Sequence, residues 1–266
     1  MIKDITIGQY FPGKSIIHRI DPRYKIIITM LFIVMLFSAK SFYSLPIGVL
    51  YITFAILVSK IPIKIVLKGI KPIIPIIIFT AVLNLFFIGG EPLFKIWIIR
   101  ITAEGIRMSI FMIVRIIFLI MGTSLLTYTT SPVALTDALE RLMSPLRAVK
   151  FPVHELAMMM TIALRFIPTL IEETDKIMSA QKARGADMET GGLISRAKAL
   201  IPILIPLFVS AFKRAEELAL AMECRCYRGG EGRTRMKQLH ASAIDYVALS
   251  FTLAFTAAVF AINILL

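Results

Sequence analysis

Cysteine is nearly absent: in 266 residues only Cys224 and Cys226 occur, one residue apart. Two thiols so placed cannot build a disulfide framework. A Cys-x-Cys pair without nearby partners is also a poor zinc site, so no metal is expected. Histidine is equally scarce, and His18, His154 and His240 are scattered along the chain. That scarcity argues against a membrane enzyme that gathers acidic or imidazole groups at the bilayer boundary to hold metal ions, and no cofactor is expected. Acidic residues are the minority charge, 17 against 30 lysines and arginines, for a formal net charge of +13. Such an excess suits nucleic acid or the basic face of a membrane protein, and its distribution along the chain favours the membrane and no nucleic acid.

What is abundant is apolar. Hydrophobic residues make up 58% of the chain, above the roughly 45–50% of soluble domains, and they fall in long blocks. Five blocks read as membrane spans: Ile26–Ser38, Phe42–Ser59, Pro72–Gly90, Gly105–Thr129 and Ala243–Leu266. The first is short against the ~20 residues a span needs. The third begins with Pro72 and Pro75, which are tolerated in a first helical turn. With the N-terminus inside, 25 of the 30 basic residues lie in inner segments, and the outer loops hold only Lys40, Lys95 and Arg100. The asymmetry predicts N-terminus in, C-terminus out and an odd number of spans. The first 22 residues are polar and mixed, without a signal-peptide pattern, so insertion is expected to use internal segments. Arg115 falls near mid-bilayer, where a charge either marks function or faces the bundle interior and binds carbonyls.

The chain therefore reads as an all-α membrane protein in four regions: a cytoplasmic segment 1–25, four transmembrane helices in 26–129, a cytoplasmic or interfacial arm 130–242, and a last transmembrane helix 243–266. In the arm, Ser131-Pro132 opens a helix to about Met143. A second helix runs from near Pro152 to Ala183, bent at Pro168. A third runs from near Ser195 to about Arg225, bent at Pro202 and Pro206. These helices are too apolar to stand in water alone, so they lie on the bilayer or bury against a partner. Their distal ends are alike. Glu172-Glu173 leads into Ala183-Arg184-Gly185, and Glu216-Glu217 leads into Cys224-Arg225-Cys226-Tyr227-Arg228-Gly229. An arginine at a helix tip offers a fixed fork to carboxylates, and two such tips suggest two similar sockets.

Gly8-Gln9-Tyr10-Phe11-Pro12-Gly13-Lys14-Ser15 fits the phosphate-loop pattern G-x-x-x-x-G-K-[ST]. The chemistry needs a buried strand before the loop and a helix after it in an α/β domain. Only seven residues precede it and a span follows, so nucleotide binding here is rejected.

The same N-terminus, with Gly8-Gln9-Tyr10, Pro12-Gly13-x-Ser15 and His18-Arg19-Ile20-Asp21-Pro22-Arg23-x-Lys25, resembles the opening of transmembrane T components of energy-coupling factor transporters. The two arginine tips resemble that family's paired Ala-Arg-Gly coupling motifs. The tail from Tyr227 to Arg235 resembles the form found where one T component serves several substrate-binding subunits. The resemblance implies a non-catalytic subunit of the bacterial cell membrane. It would join two ABC ATPase subunits to small membrane substrate-binding subunits that capture a vitamin or another micronutrient. It makes Ala183, Arg184 and Gly185 the first ATPase-coupling motif. The second departs from the pattern. Aligning Cys224-Arg225-Cys226 on Ala183-Arg184-Gly185 selects Arg225, whereas aligning the Glu-Glu pairs selects Arg228 with Gly229. Both remain open, with Arg225 preferred. A polytopic membrane enzyme and a stand-alone secondary transporter are the competing readings. The latter is disfavoured because the repeat lies in the arm rather than in two membrane halves.

Overall fold

The computed structural model describes residues 10–39, 41–89, 92–96, 99–186, 192–230 and 239–265. Among these the protein is all-α apart from one small hairpin. The helices are α1 (Ile16–Arg19), α2 (Pro22–Ser38), α3 (Leu45–Ser59), α4 (Ile63–Ile70), α5 (Ile74–Phe87), α6 (Ala103–Thr129), α7 (Pro132–Leu142), α8 (Val153–Ala183), α9 (Leu193–Cys224) and α10 (Ala243–Leu265). The chain divides into two compact units. One comprises Gly8–Leu135 with Gln238–Leu266, the other Thr136–Lys237 with the undescribed Met1–Ile7.

In the first unit α2, α3, α6 and α10 pack around Phe32, Met35, Leu36, Ile52, Tyr128 and Val259, all almost fully buried. Tyr51 of α3 and Thr252 of α10 share a hydroxyl bond of 2.8 Å, which satisfies both groups where no water reaches. The outer faces carry large apolar side chains, among them Phe37, Leu50, Phe79 and Phe87. Lipid, not water, is the solvent that such faces suit. Three helical segments here are long and apolar enough to cross a membrane, Ile63–Phe87, Ala103–Thr129 and Ala243–Leu265, and the apolar α3 is shorter, as is the 17-residue α2.

Two sequence expectations change here. The sequence places the start of the third span at Pro72, but the helix is continuous from Ile63. Pro72 and Pro75 nonetheless stand at first-turn positions, Pro72 in the 3₁₀ turn and Pro75 at the start of α5, as the sequence predicts. The chain tightens to a 3₁₀ turn over Lys71–Ile73 and passes on into α5, a conformation that tolerates the missing proline donor. The lysine-rich segment before it is thus helical and amphipathic, with Val66 and Ile70 buried and Lys64 and Lys68 exposed. The loop that follows is also structured in part. Pro92–Ile96 pairs antiparallel with Ile99–Thr102, and Thr102 then caps α6 by accepting from the Gly105 N–H at 3.0 Å. Midway along α6 the Arg115 guanidinium donates to the Ala39 carbonyl and lies 4.6 Å from the Phe111 ring centre. Half-buried, it turns to a backbone carbonyl and a ring of the bundle, as an arginine within a span is expected to.

The rejected phosphate loop has none of the required setting. Gly8 and Gln9 lie outside the described residues. Lys14 is exposed, and Ser15 caps a four-residue helix with its hydroxyl 2.6 Å from His18 Nδ1.

The N-terminal ends of α2 and α10 are locked together by Asp21 and Asp245. Asp245, 1% exposed, accepts from the Asp21 N–H at 2.8 Å and from the Ser242 N–H at 2.6 Å. Asp21 in turn binds the Arg23 guanidinium at 2.7 Å, and Arg23 also donates to the Leu239 carbonyl. The Lys25 amine closes the same corner, donating to the Thr129 carbonyl at 2.9 Å and the Thr130 hydroxyl at 3.2 Å.

Candidate functional site

The second unit is built on α8 and α9. Each is interrupted by proline, at Pro168 in α8 and at Pro202 and Pro206 in α9, yet continues. Helix α8 is itself long and apolar enough to cross a membrane. The two helices run antiparallel. Gln181 near the end of α8 reaches the Pro202 carbonyl at 3.3 Å near the start of α9. Farther back, Glu173 binds Arg214 at 2.7 Å and Ser210. Farther still, Ile162, Phe166 and Leu170 share a crevice with Ala211, Ala215 and Ala219. The three alanines repeat every four residues, which puts them on one face of α9.

Because the pair is antiparallel, the C-terminal ends of α8 and α9 point in opposite directions. Phe166 and Ala219 share one level. From there Arg184 lies 18 residues along α8 and Arg225 six along α9. At 1.5 Å per residue the two arginines are separated by roughly 35 Å if the helices are straight.

The two ends have the same backbone. After α8, Arg184 is the C-cap with φ −85° and ψ 5°, and Gly185 follows with φ +86°. The Gly185 N–H binds the Lys182 carbonyl at 3.0 Å and the Ala186 N–H binds the Gln181 carbonyl at 3.0 Å. After α9, Arg225 is the C-cap with φ −91° and ψ 14°, and Cys226 follows with φ +55°. The Cys226 N–H binds the Glu223 carbonyl at 2.8 Å and the Tyr227 N–H binds the Met222 carbonyl at 3.0 Å. Both are Schellman caps. Arg184 and Arg225 are therefore equivalent by hydrogen-bond pattern, and both are exposed. Arg228 is exposed too, but it lies three residues beyond the cap in irregular chain, before Gly229. Residues 231–235 of the tail lie outside the described residues.

The caps make each arginine a forward-pointing charge. A helix C-terminus concentrates partial negative charge, so a cation there is stabilised on its own helix. Neither arginine has an ion-pair partner among the described residues, which leaves both guanidinium forks available to carboxylates. The second tip carries a cost the first does not. Cys226 holds the left-handed position that Gly185 fills without a side chain, and a Cβ there is worth about 1 kcal/mol of strain. Replacing Cys226 by glycine is expected to raise the stability of α9 by up to about 1 kcal/mol, read as slower amide hydrogen exchange over residues 216–226. Both thiols are exposed and free.

No cluster of three or more metal-ligating side chains occurs among the described residues.

Known proteins match this chain over nearly its whole length. The family described as CbiQ, cobalt transport protein, matches residues 13–236. A Clostridium kluyveri protein named energy-coupling factor transporter transmembrane protein EcfT is 58% identical over 250 residues, covering 93% of each chain. Proteins of the same name from Ruminiclostridium cellulolyticum and Bacillus subtilis are 53% identical over 255 residues and 48% identical over 240. They cover 96% and 90% of this chain, and 96% and 91% of their own lengths.

Proposed function

The chain belongs to the CbiQ cobalt transport family, and with EcfT proteins as its relatives it is a transmembrane component of an energy-coupling factor transporter; on that premise we propose that it couples two ABC ATPase subunits to a membrane substrate-binding subunit. The observation that carries this is the pair of identical caps at opposite ends of α8 and α9, each presenting an exposed arginine. Two like ends facing apart fit two like sockets on two ATPase subunits better than one site on one partner. In this reading the second unit and the N-terminus face the cytoplasm, as the basic residues predict. The apolar surfaces of the first unit and of α9 lie in lipid or against small, interchangeable substrate-binding subunits. The protein performs no chemistry of its own. ATP is hydrolysed by its partners, and the cargo, a vitamin or other micronutrient, is chosen by the substrate-binding subunit.

The cap geometry supports Ala183, Arg184 and Gly185 as one coupling motif and Cys224, Arg225 and Cys226 as the other, with Arg228 and Gly229 outside it. Copurification tests the assignment. Wild-type chain is expected to bring down two ATPase subunits and one small hydrophobic protein. Arg184→Glu and Arg225→Glu are each expected to loosen one ATPase subunit at least about 30-fold, the consequence of removing a buried charge from its partner. Arg228→Glu is expected to change binding less than threefold. Normal recovery of both ATPases with the Arg184 and Arg225 variants would refute the coupling role. A large effect confined to Arg228→Glu would move the second motif.

A further inference from the structure

The second tip is tethered to the base of α8 by a contact between backbone and ring. Five residues after Arg225, the backbone of Gly230 lies close against the His154 side chain. A Cβ built on Gly230 would sit 2.6 Å from His154 Cδ2 and 3.0 Å from its Cγ, well inside contact distance, so only glycine seats the chain there. Gly229, immediately before, has φ +85° and turns the chain onto the ring. By contrast, a Cβ on Gly185 at the first tip would meet nothing within 4 Å.

The ring is itself held. His154 opens α8, and its Nδ1 is 3.1 Å from Oε1 of Glu140 on α7. Glu140 is 5% exposed, and Arg147 reaches the same oxygen at 3.5 Å. With the carboxylate ionised, Nδ1 carries the proton and donates. A half-buried, charge-assisted bond of this kind fixes ring orientation.

We propose that Glu140, His154 and Gly230 form a positioning lock for the second arginine tip. Glu140 orients the imidazole, and the imidazole face is the stop against which the chain leaving Arg225 is seated. The lock sets the direction of the second tip. Among the described residues the first tip rests on its own helix and cap. This inference rests on the coupling reading and gives its two ends different mechanical character.

The native thiols supply the readout. Cys224 and Cys226 flank Arg225, so a socket that receives the tip shields them from a maleimide. Ala183→Cys places a matching thiol beside Arg184, in a chain whose own two cysteines are serines. In the complex with both ATPases, labelling at each tip is expected to slow at least tenfold relative to the free chain. His154→Ala and Gly230→Ala are expected to abolish most of the shielding at the second tip while the first stays shielded. His154→Asn keeps a donor toward Glu140 and is expected to restore at least half of it. In the double variant His154→Ala/Gly230→Ala the ring that obstructs the added methyl group is gone, so the two effects should not add.

Shielding at both tips that none of these variants changes would overturn the lock and leave the coupling role standing. Loss at both tips together in the Gly230→Ala chain would assign the cluster to general support of the fold and equally overturn it. Absence of shielding at either tip in the wild-type complex would overturn the coupling reading, and the lock with it.

Discussion

Reversing both tip arginines, Arg184→Glu with Arg225→Glu, is expected to reduce substrate uptake by about a thousandfold. Removing one member of a buried, hydrogen-bonded charge pair costs about 2–5 kcal/mol. At 1.4 kcal/mol per tenfold, even the low end is about 30-fold per tip. The arginines stand at opposite ends of an antiparallel pair, roughly 35 Å apart along the helices. Sites so distant with no shared partner add nearly independently. The product of two 30-fold losses gives the expected figure. Uptake of labelled substrate by cells carrying the variant, with membrane levels of the chain checked by blot, measures it. Under the coupling proposal the cost arises in the partners' sockets. Both arginines are exposed on this chain and form no ion pair among its described residues, so the double variant should fold normally. A doubly reversed chain that transports at the wild-type rate would end the coupling proposal.

Asp245→Ala should act in the opposite way, through stability. Asp245 is almost fully buried and accepts from two backbone N–H groups, those of Asp21 and Ser242, and from the Ser242 hydroxyl at 3.1 Å. Truncation removes the cap of α10 and strands the Asp21 N–H, which lies 224 residues away in sequence. An unsatisfied buried donor costs about 1–3 kcal/mol and a lost cap about 1 kcal/mol. Together they should lower the midpoint of thermal unfolding in detergent by roughly 5–15 °C for a chain of this size.

The same corner gives a pH dependence. Burial pushes the Asp21 carboxyl up, but hydrogen bonds and charge from Arg23 outweigh it and hold the group below its usual 3.8. A carboxyl lowered on folding contributes stability that is complete above its unfolded value and is lost as pH falls through the folded one. Arg23→Gln should therefore be less stable than wild type at neutral pH, with the gap closing below about pH 4. A gap that widened in acid would contradict the assignment of Asp21 and Arg23 as a pair.

Much of the helical plan was legible in the sequence because its punctuation is chemical. Ser131-Pro132, the glycine after Arg184 and the charge-free run to Leu265 set helix ends within a residue or two of where they fall. Pro72 and Pro75 marked the first turn of α5 correctly but hid that helical chain already precedes them, since a 3₁₀ turn joins α4 to α5 there. The hairpin at Pro92–Thr102 carried a weak signal: Ile99-Arg100-Ile101-Thr102 alternates apolar and polar residues, but over four positions only, Pro92–Ile96 does not alternate, and no Asn-Gly or Asp-Gly marks a turn.

The tips show both sides of the limit. Residue types alone left Arg225 and Arg228 open, since one alignment matched the motif and the other matched the acidic spacing. The left-handed backbone at Cys226 ties Arg225 to Arg184, but cysteine in place of glycine hid it. The contacts joining Asp21 to Asp245 and Glu140 to His154 could not be read either. Each spans residues whose proximity depends on how the helices pack.

The antiparallel course of α8 and α9 also fixes how a force on the tips is borne. Partners drawn toward each other while gripping opposite ends would load the two helices as crossed levers. Helices resist shortening, so the yield must come at the middle as rotation. There α9 sets the small side chains of Ala211, Ala215 and Ala219 alongside the larger Leu218 and Met222, while Glu173 and Arg214 beside them act as the pin.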